Sequence, residues 1–221
     1  MIDFNHDLVP SKLWEYLSKN NTGGQQIPSQ EEIKHFIFDP ANPAHSRNSK
    51  IDCGVHTIDW LRDEFCEQFK CSIPSNTFKE YWNSIFGKAK SEGIRCMKDL
   101  RSKGICIGIC SNTNQSHWEF ICKNFPEIRD TACDWFLSFE LKSRKPDPMF
   151  YELISERTKT PSGNLLLFDD VEANVLGARH AGLKAELFSK TSTFDDVLKF
   201  VTGKFFDSCH PADACACLTK H

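Results

Sequence analysis

The sequence predicts an α/β fold in which parallel strands follow a helical segment at the amino terminus. Three observations lead there. From Ala89 onward, amphipathic helix-length stretches alternate with short apolar runs, the pattern of buried parallel strands joined by right-handed crossovers. Three short polar segments, Ser111-Asn112-Thr113, Lys145-Pro146-Asp147-Pro148 and Asp169-Asp170, follow the runs Ile105–Cys110, Trp135–Leu141 and Leu165–Phe168 in turn. Residues 1 to about 86 show helical apolar spacing instead.

In that first segment, Ser11–Ser18 carries Leu13, Trp14 and Leu17 on one face, and Ser29-Gln30-Glu31-Glu32 reads as a capping box opening a helix through Phe38. Ile58, Leu61, Phe65 and Phe69 align along His56–Phe69, and Phe78, Trp82 and Ile85 along Ser75–Phe86. The stretches Asn21–Pro28 and Asp39–Lys50, rich in Gly, Pro, Asn and Ser, read as mobile loops. Beyond them a helix runs to Lys103 and stops at Gly104. The expected order is then strand 105–110, helix 115–124, strand 134–140, helix 147–159, strand 164–169, helix 172–181, a stop at Gly182, strand 184–188 and helix 193–203.

With 221 residues, 40% of them apolar and 18 phenylalanines, the chain can bury a sizeable core. The net charge of -3 and pI near 6.2 give no electrostatic reason to expect nucleic acid or an anionic membrane as a partner. No apolar run approaches the roughly 20 residues that span a bilayer, and Met1–Asp7 lacks the basic and apolar regions of a signal peptide. These features point to a cytoplasmic protein. The eleven cysteines are expected to be reduced, because many sit in periodic segments where a thiol acts as a small apolar residue.

Each polar segment has two readings taken alone. Adjacent Asp169 and Asp170 at a strand end repel unless a cation or hydrogen-bond donors compensate, and hard oxygen donors favour Mg²⁺, yet a single aspartate there also caps a helix. The hydroxyl and backbone N–H groups at Ser111-Asn112-Thr113 suit phosphoryl oxygens, but these residues equally favour an N-cap. Most lysines solvate a surface. Lys145 differs in preceding Pro146, which holds it in extended backbone, while Pro148 suits a helix start.

In this order, after these strands, the three segments resemble the haloacid dehalogenase-like (HAD) superfamily. The branch they look most like contains sugar-phosphate phosphatases and the amino-terminal phosphatase domain of soluble epoxide hydrolase. The resembling text is Ile109 to Asn114, Arg144 to Pro148, and Leu167 to Asp170 with Asn174, Gly177, Ala178 and Gly182; Pro126-Glu127-Ile128 fits the same branch. The resemblance implies a Rossmann-like parallel sheet over residues 87–205 and an amino-terminal α-helical cap within 1–86. It implies a Mg²⁺-dependent hydrolase acting on a small phosphorylated metabolite. Ser111 and Asn112 would then bind the phosphoryl group, and Lys145 would act in catalysis by neutralising charge on that group and on the nucleophile. Asp170 would ligate the metal and Asp169 would orient it, with Arg144, Asn114 and Asn174 in supporting roles.

The family pattern also includes an opening apolar strand ending in an aspartate nucleophile, followed by a Gly-containing turn. Ile2-Asp3-Phe4-Asn5 resembles the text just after that turn, so Met1 aligns beyond the nucleophile. Asp3 and Asp7 are acidic, but no strand precedes them. The chain as given is therefore expected to be inactive, or to be a degenerate relative that binds without turnover. In the tail, residues 206–221, Cys209, His210, Cys215, Cys217 and His221 could serve zinc. Cys215-Ala216-Cys217 is tighter than the two-to-four-residue gaps of structural zinc sites, which favours a flexible tail.

Overall fold

The structure, a computed structural model, describes residues 2–21 and 26–205. In chain order it contains β1 (Ile2–Phe4), α1 (Leu8–Asn20), α2 (Gln30–Phe38), α3 (Arg47–Asp52), α4 (Ile58–Gln68), α5 (Ser75–Asn83), β2 (Phe86–Ala89), α6 (Ser91–Ser102), β3 (Gly108–Ser111), α7 (Gln115–Asn124), α8 (Pro126–Thr131), β4 (Asp134–Leu137), α9 (Ser138–Leu141), α10 (Pro148–Thr158), β5 (Leu166–Asp169), α11 (Glu172–His180), β6 (Lys184–Leu187) and α12 (Phe194–Phe200). These form two compact units, residues 2–89 with 113–124, and residues 90–112 with 125–205. The tail with its candidate zinc ligands lies outside the described residues, as do Thr22–Gln25 in the first expected loop.

The helical unit is built on the apolar spacing of its helices. Leu13, Ile33, Ile37, Leu61, Phe65, Phe78 and Trp82 form one buried cluster. The capping box forms as its sequence predicts: Ser29 Oγ accepts from the Glu32 N–H at 3.2 Å, and the Glu32 carboxylate accepts from the Ser29 N–H at 2.7 Å. Two features depart from expectation. The stretch 39–50, read as a loop, enters α3 through Ser46, whose hydroxyl accepts from the Ser49 N–H at 3.1 Å. Six residues with Ile51 as their buried apolar anchor are too short to show a period. Further on, the helix from Ser75 ends at Asn83, and Phe86–Ala89 pairs antiparallel with Ile2–Phe4, Ile2 facing Ala89. Asp3 thus lies within a strand. Its three residues carry no readable alternation.

The second unit is the α/β core. β3 pairs in parallel with β4, Gly108 facing Asp134 through Ser111 facing Leu137; β5 pairs in parallel with β6, Leu166 facing Lys184 through Asp169 facing Leu187. The turns before β3 and β6 use Gly104 at φ +80° and Gly182 at φ +85°, left-handed backbone that favours glycine. Two helical layers cover both ladders. On one side Cys96 and Leu100 of α6 join Val197, Leu198 and Val201 around Ile105, Ile107, Leu166 and Phe168. On the other, Phe150, Tyr151 and Ile154 of α10 join Val175 and Ala178 of α11 around Cys110, Phe136, Leu167 and Ala185.

The expected strand 134–140 ends at Leu137, where the chain turns into α9, and the stretch between α7 and β4 contains α8, which starts on Pro126. Instead of one continuous parallel sheet, the described residues form separate two-stranded ladders, β3–β4 and β5–β6, beside the antiparallel β1–β2 pair. All eight cysteines among the described residues are free thiols, several of them packed in these clusters.

Candidate functional site

Open α/β sheets carry their sites at the carboxyl ends of their strands. Here β3 ends at Ser111 and β5 at Asp169, and Lys145 joins the two ends. Its Nζ donates to the Cys110 carbonyl at 2.9 Å and to Asp169 Oδ2 at 2.5 Å. The pair is almost dry, with side-chain exposures of 10% for Lys145 and 5% for Asp169.

Neighbouring groups hold both partners in place. The Asn112 side chain accepts from the Lys145 N–H and donates to the Lys145 carbonyl, both at 2.8 Å, so it clamps the backbone of the lysine. Asp147 then caps α10, its Oδ1 accepting from the Met149 N–H at 3.0 Å. Asp169 Oδ1 accepts from the Val171 N–H and from the Asn174 side-chain amide, each at 2.9 Å. The buried Tyr151 hydroxyl donates to the Asn174 carbonyl at 2.7 Å. Every oxygen of Asp169 is therefore engaged.

Burial sets the electrostatics around this knot. The Cys110 thiol is pushed up to about 11 by desolvation, against the opposing effect of the Lys145 ammonium, so it stays a neutral thiol. Burial also raises the Tyr151 phenol, which remains a donor. At Gly177 a Cβ would lie 2.2 Å from the Pro146 carbonyl oxygen, so α11 packs directly on the backbone that follows Lys145.

The other residues singled out by sequence are placed as follows. Ser111 is half-buried at the end of β3, its hydroxyl without a partner among the described residues. Asp170 is exposed just past β5, its carboxylate likewise without one, and α11 starts from Val171 with no side-chain cap. Asn114 is spent in the core of the helical unit, where it caps α7 by accepting from the His117 N–H at 3.1 Å and donates to Asp52 at 3.3 Å. Asp7 forms an exposed ion pair with Lys34 at 2.8 Å. Tyr151 escaped sequence reasoning because an aromatic residue in an amphipathic helix reads as core. The clamping role of Asn112 was hidden because its partner lies 33 residues away.

Among the described residues no three His, Cys, Asp or Glu side chains gather as a metal cage. Magnesium seldom uses one: it binds through one or two carboxylates, waters and substrate phosphate. The free Asp170 carboxylate beside the ordered Asp169 fits that donor set.

This arrangement defines an α/β protein with lysine, hydroxyl and carboxylates at the joined ends of two parallel ladders. A family model described as haloacid dehalogenase-like hydrolase matches residues 32–182. The chain belongs to the haloacid dehalogenase-like hydrolase family. It is 25% identical over 132 residues to phosphatase MT3486 of Mycobacterium tuberculosis, a match covering 57% of this chain and 59% of that protein. It is 26% identical over 140 residues to the haloacid dehalogenase-like hydrolase domain-containing protein At4g39970 of Arabidopsis thaliana, covering 62% of this chain and 42% of the relative. The chain thus matches about three-fifths of one curated relative's length and under half of the other's.

Solved structures share the fold. The HAD family enzyme bt-2542 of Bacteroides thetaiotaomicron, in complex with magnesium and inorganic phosphate, superposes with a TM-score of 0.72 at 20% identity, covering 89% of this chain and 93% of that one. A predicted HAD-like family hydrolase of Porphyromonas gingivalis superposes with a TM-score of 0.74 at 13% identity, covering 92% and 93%.

Proposed function

We propose that this protein is the phosphohydrolase type of its family, acting with Mg²⁺ on a small phosphomonoester when its nucleophilic carboxylate is supplied. The observation that carries this reading is Lys145, whose ammonium is held nearly dry where β3 and β5 end. A cation fixed there by Asn112, Asp169 and Cys110 can stabilise charge on a transferring phosphoryl group without reorganising. Ser111 would offer its hydroxyl to a phosphoryl oxygen, and Asp170 its carboxylate to the metal. Bound there, Mg²⁺ would supply charge neutralisation on the phosphoryl oxygens. In the reaction a carboxylate oxygen would bond to phosphorus as the ester P–O bond breaks and the alkoxide leaves, taking a proton to become the alcohol; water would then attack phosphorus, releasing phosphate and restoring the carboxylate. The family relation to phosphatase MT3486 and the magnesium and phosphate bound by bt-2542 support the same reading.

Among the described residues the carboxylate paired with Lys145 is Asp169, itself tied to Val171 and Asn174 and so ill-placed to attack. That observation also supports the second reading, a module that binds phosphate without turnover. Steady-state assays on an aryl phosphate separate them. The 221-residue chain should show negligible Mg²⁺-dependent hydrolysis, since the carboxylate paired with Lys145 among the described residues is held by Val171 and Asn174, and acid–base help alone is worth about 10²–10⁴-fold. A chain extended before Met1 by an apolar strand ending in aspartate should turn over, and Asp170→Asn should abolish that turnover. An extended chain that binds phosphate but never hydrolyses an ester would support the binding module. Turnover by the 221-residue chain that is lost in Asp3→Asn or Asp7→Asn would place the nucleophile at that residue and overturn the alignment that sets Met1 beyond it, and no ester hydrolysis or phosphate binding by either chain would overturn the phosphohydrolase reading.

A further inference from the structure

We infer that Cys66 and Cys71 form an oxidisable dithiol in the helical unit, a modification site for peroxide that closes into a reversible disulfide. The inference is independent of the phosphatase reading, because neither sulfur belongs to the residues gathered at the ends of β3 and β5.

The backbone at the end of α4 brings the two residues together. The helix is capped at Phe69, Lys70 follows in left-handed backbone at φ +50°, and the Cys71 N–H donates to the Cys66 carbonyl at 3.0 Å. A bond that reaches back five residues across a left-handed one is a common way to close a helix, and it sets the side chains at its two ends against each other. An apolar contact often fills that place; here both residues are cysteines. Standard bond lengths on either side of the hydrogen bond leave the two Cα atoms at most about 7 Å apart. A disulfide spans ~4.4–6.8 Å between Cα atoms, so the turn is matched to one. The two thiols hydrogen-bond to each other, and both lie half-buried against the apolar cluster of the helical unit.

The environment assigns the two sulfurs different tasks. Burial first, and then the neighbouring Cys66 sulfur, hold the Cys71 thiol well above the ordinary thiol range, so it keeps its proton and peroxide meets Cys66. The Cys66 sulfur attacks one peroxide oxygen; the O–O bond breaks, the thiol proton goes to the departing hydroxide, and a sulfenic acid and water result. The Cys71 sulfur then attacks Cys66 Sγ while its own proton goes to the departing hydroxyl, which leaves as a second water. Two thiols have passed two electrons to one peroxide.

Two sulfurs alone do not hold zinc, which takes four ligands in a structural site, and among the described residues no third candidate ligand gathers beside them. Cys106 and Cys133 also adjoin, in the other unit, but Cys133 Sγ already accepts from the Ile107 N–H at 3.4 Å at the start of the β3–β4 ladder. Closing the Cys66–Cys71 bond fixes the turn that leads from α4 to α5. The Ser72 carbonyl there accepts from the Tyr16 hydroxyl of α1 at 3.2 Å, and Ile73 is buried, so the linked turn stays seated on the helices around it.

Peptide mapping of the 221-residue chain tests this. Trypsin cuts after Lys70, so the disulfide shows itself as a link between the peptides Asp63–Lys70 and Cys71–Lys79. Dilute hydrogen peroxide, followed by alkylation in denaturant, should produce that link ~10-fold faster than any other cysteine is oxidised, and dithiothreitol should remove it. In Cys71→Ser, dimedone should trap a sulfenic acid at Cys66. In Cys66→Ser, Cys71 should remain open to alkylation after the same dose. Circular dichroism of the oxidised chain should keep its helical signal; loss of that signal would mean that the link forms only on unfolding, and it overturns the inference. Absence of the linked pair, a link from either residue to a different cysteine, or earlier oxidation of Cys106 and Cys133 also overturns it.

Discussion

Replacing Lys145 with methionine tests whether the site is held as one electrostatic unit. The substitution keeps most of the side-chain volume and removes two hydrogen bonds, to Asp169 and to the Cys110 carbonyl. Breaking a buried ion pair from one side costs about 3–5 kcal/mol, because a charge is left in a dry environment. Asp169 would keep its Val171 and Asn174 donors, so Lys145→Met should fall near ~3 kcal/mol. Asp169→Leu should fall near ~5 kcal/mol, since it strands the ammonium with one carbonyl and leaves both of those donors unpaired. The double variant removes both charges together, and its cost should fall short of the sum of the singles by ~2 kcal/mol or more. Urea denaturation followed by circular dichroism measures all four corners of this cycle. If the two costs add within ~0.5 kcal/mol, Lys145 and Asp169 are not energetically coupled, and the argument for a preorganised cation fails.

Gly177→Ala should destabilise by ~1–3 kcal/mol, the cost of forced overpacking, although alanine favours helices, because its Cβ would meet the Pro146 carbonyl oxygen at 2.2 Å. A thermal melt showing a stabilised variant would refute that packing. In the helical unit, burial lowers the His117 pKa to about 3 from 6.5, so the folded state holds it neutral. The unfolded chain binds that proton more readily, so the stabilisation is complete above pH 6.5 and is lost as pH falls toward 3, up to about 5 kcal/mol in all. Histidine NMR should show His117 untitrated at pH 5 in the folded protein; a midpoint near 6.5 would contradict its burial.

How much of this was legible in the sequence follows from the range of each interaction. Helices announced themselves through periodic apolar residues and local caps: Ser29 with Glu32, Asp147 before Pro148, and the glycines at 104 and 182 all act within a few residues. Ser111 and Asp169 were legible as strand ends for the same reason, whereas Lys145, expected to follow a strand running to Leu141, is separated from β4 by α9. Elements shorter than a period, such as α3 and the β1–β2 pair, were not, because three to six residues cannot display one. Nor was the internal wiring of the site. Nothing around Asn112 says that its amide grips a lysine backbone 33 residues on, or that both oxygens of Asp169 are spent on Lys145, Val171 and Asn174.

That wiring changes how the aspartate pair divides its labour. The family resemblance made Asp170 the metal ligand and Asp169 the residue that orients it. The fold buries Asp169 inside a ring of donors and leaves Asp170 exposed without a partner among the described residues. Asp169 neutralises and aims Lys145 in a dry setting, and under the proposed function the exposed Asp170 would exchange water for a cation. Asp169 is the last residue of β5 and Asp170 lies just past it, so one step of backbone carries the chain from the buried carboxylate to the exposed one.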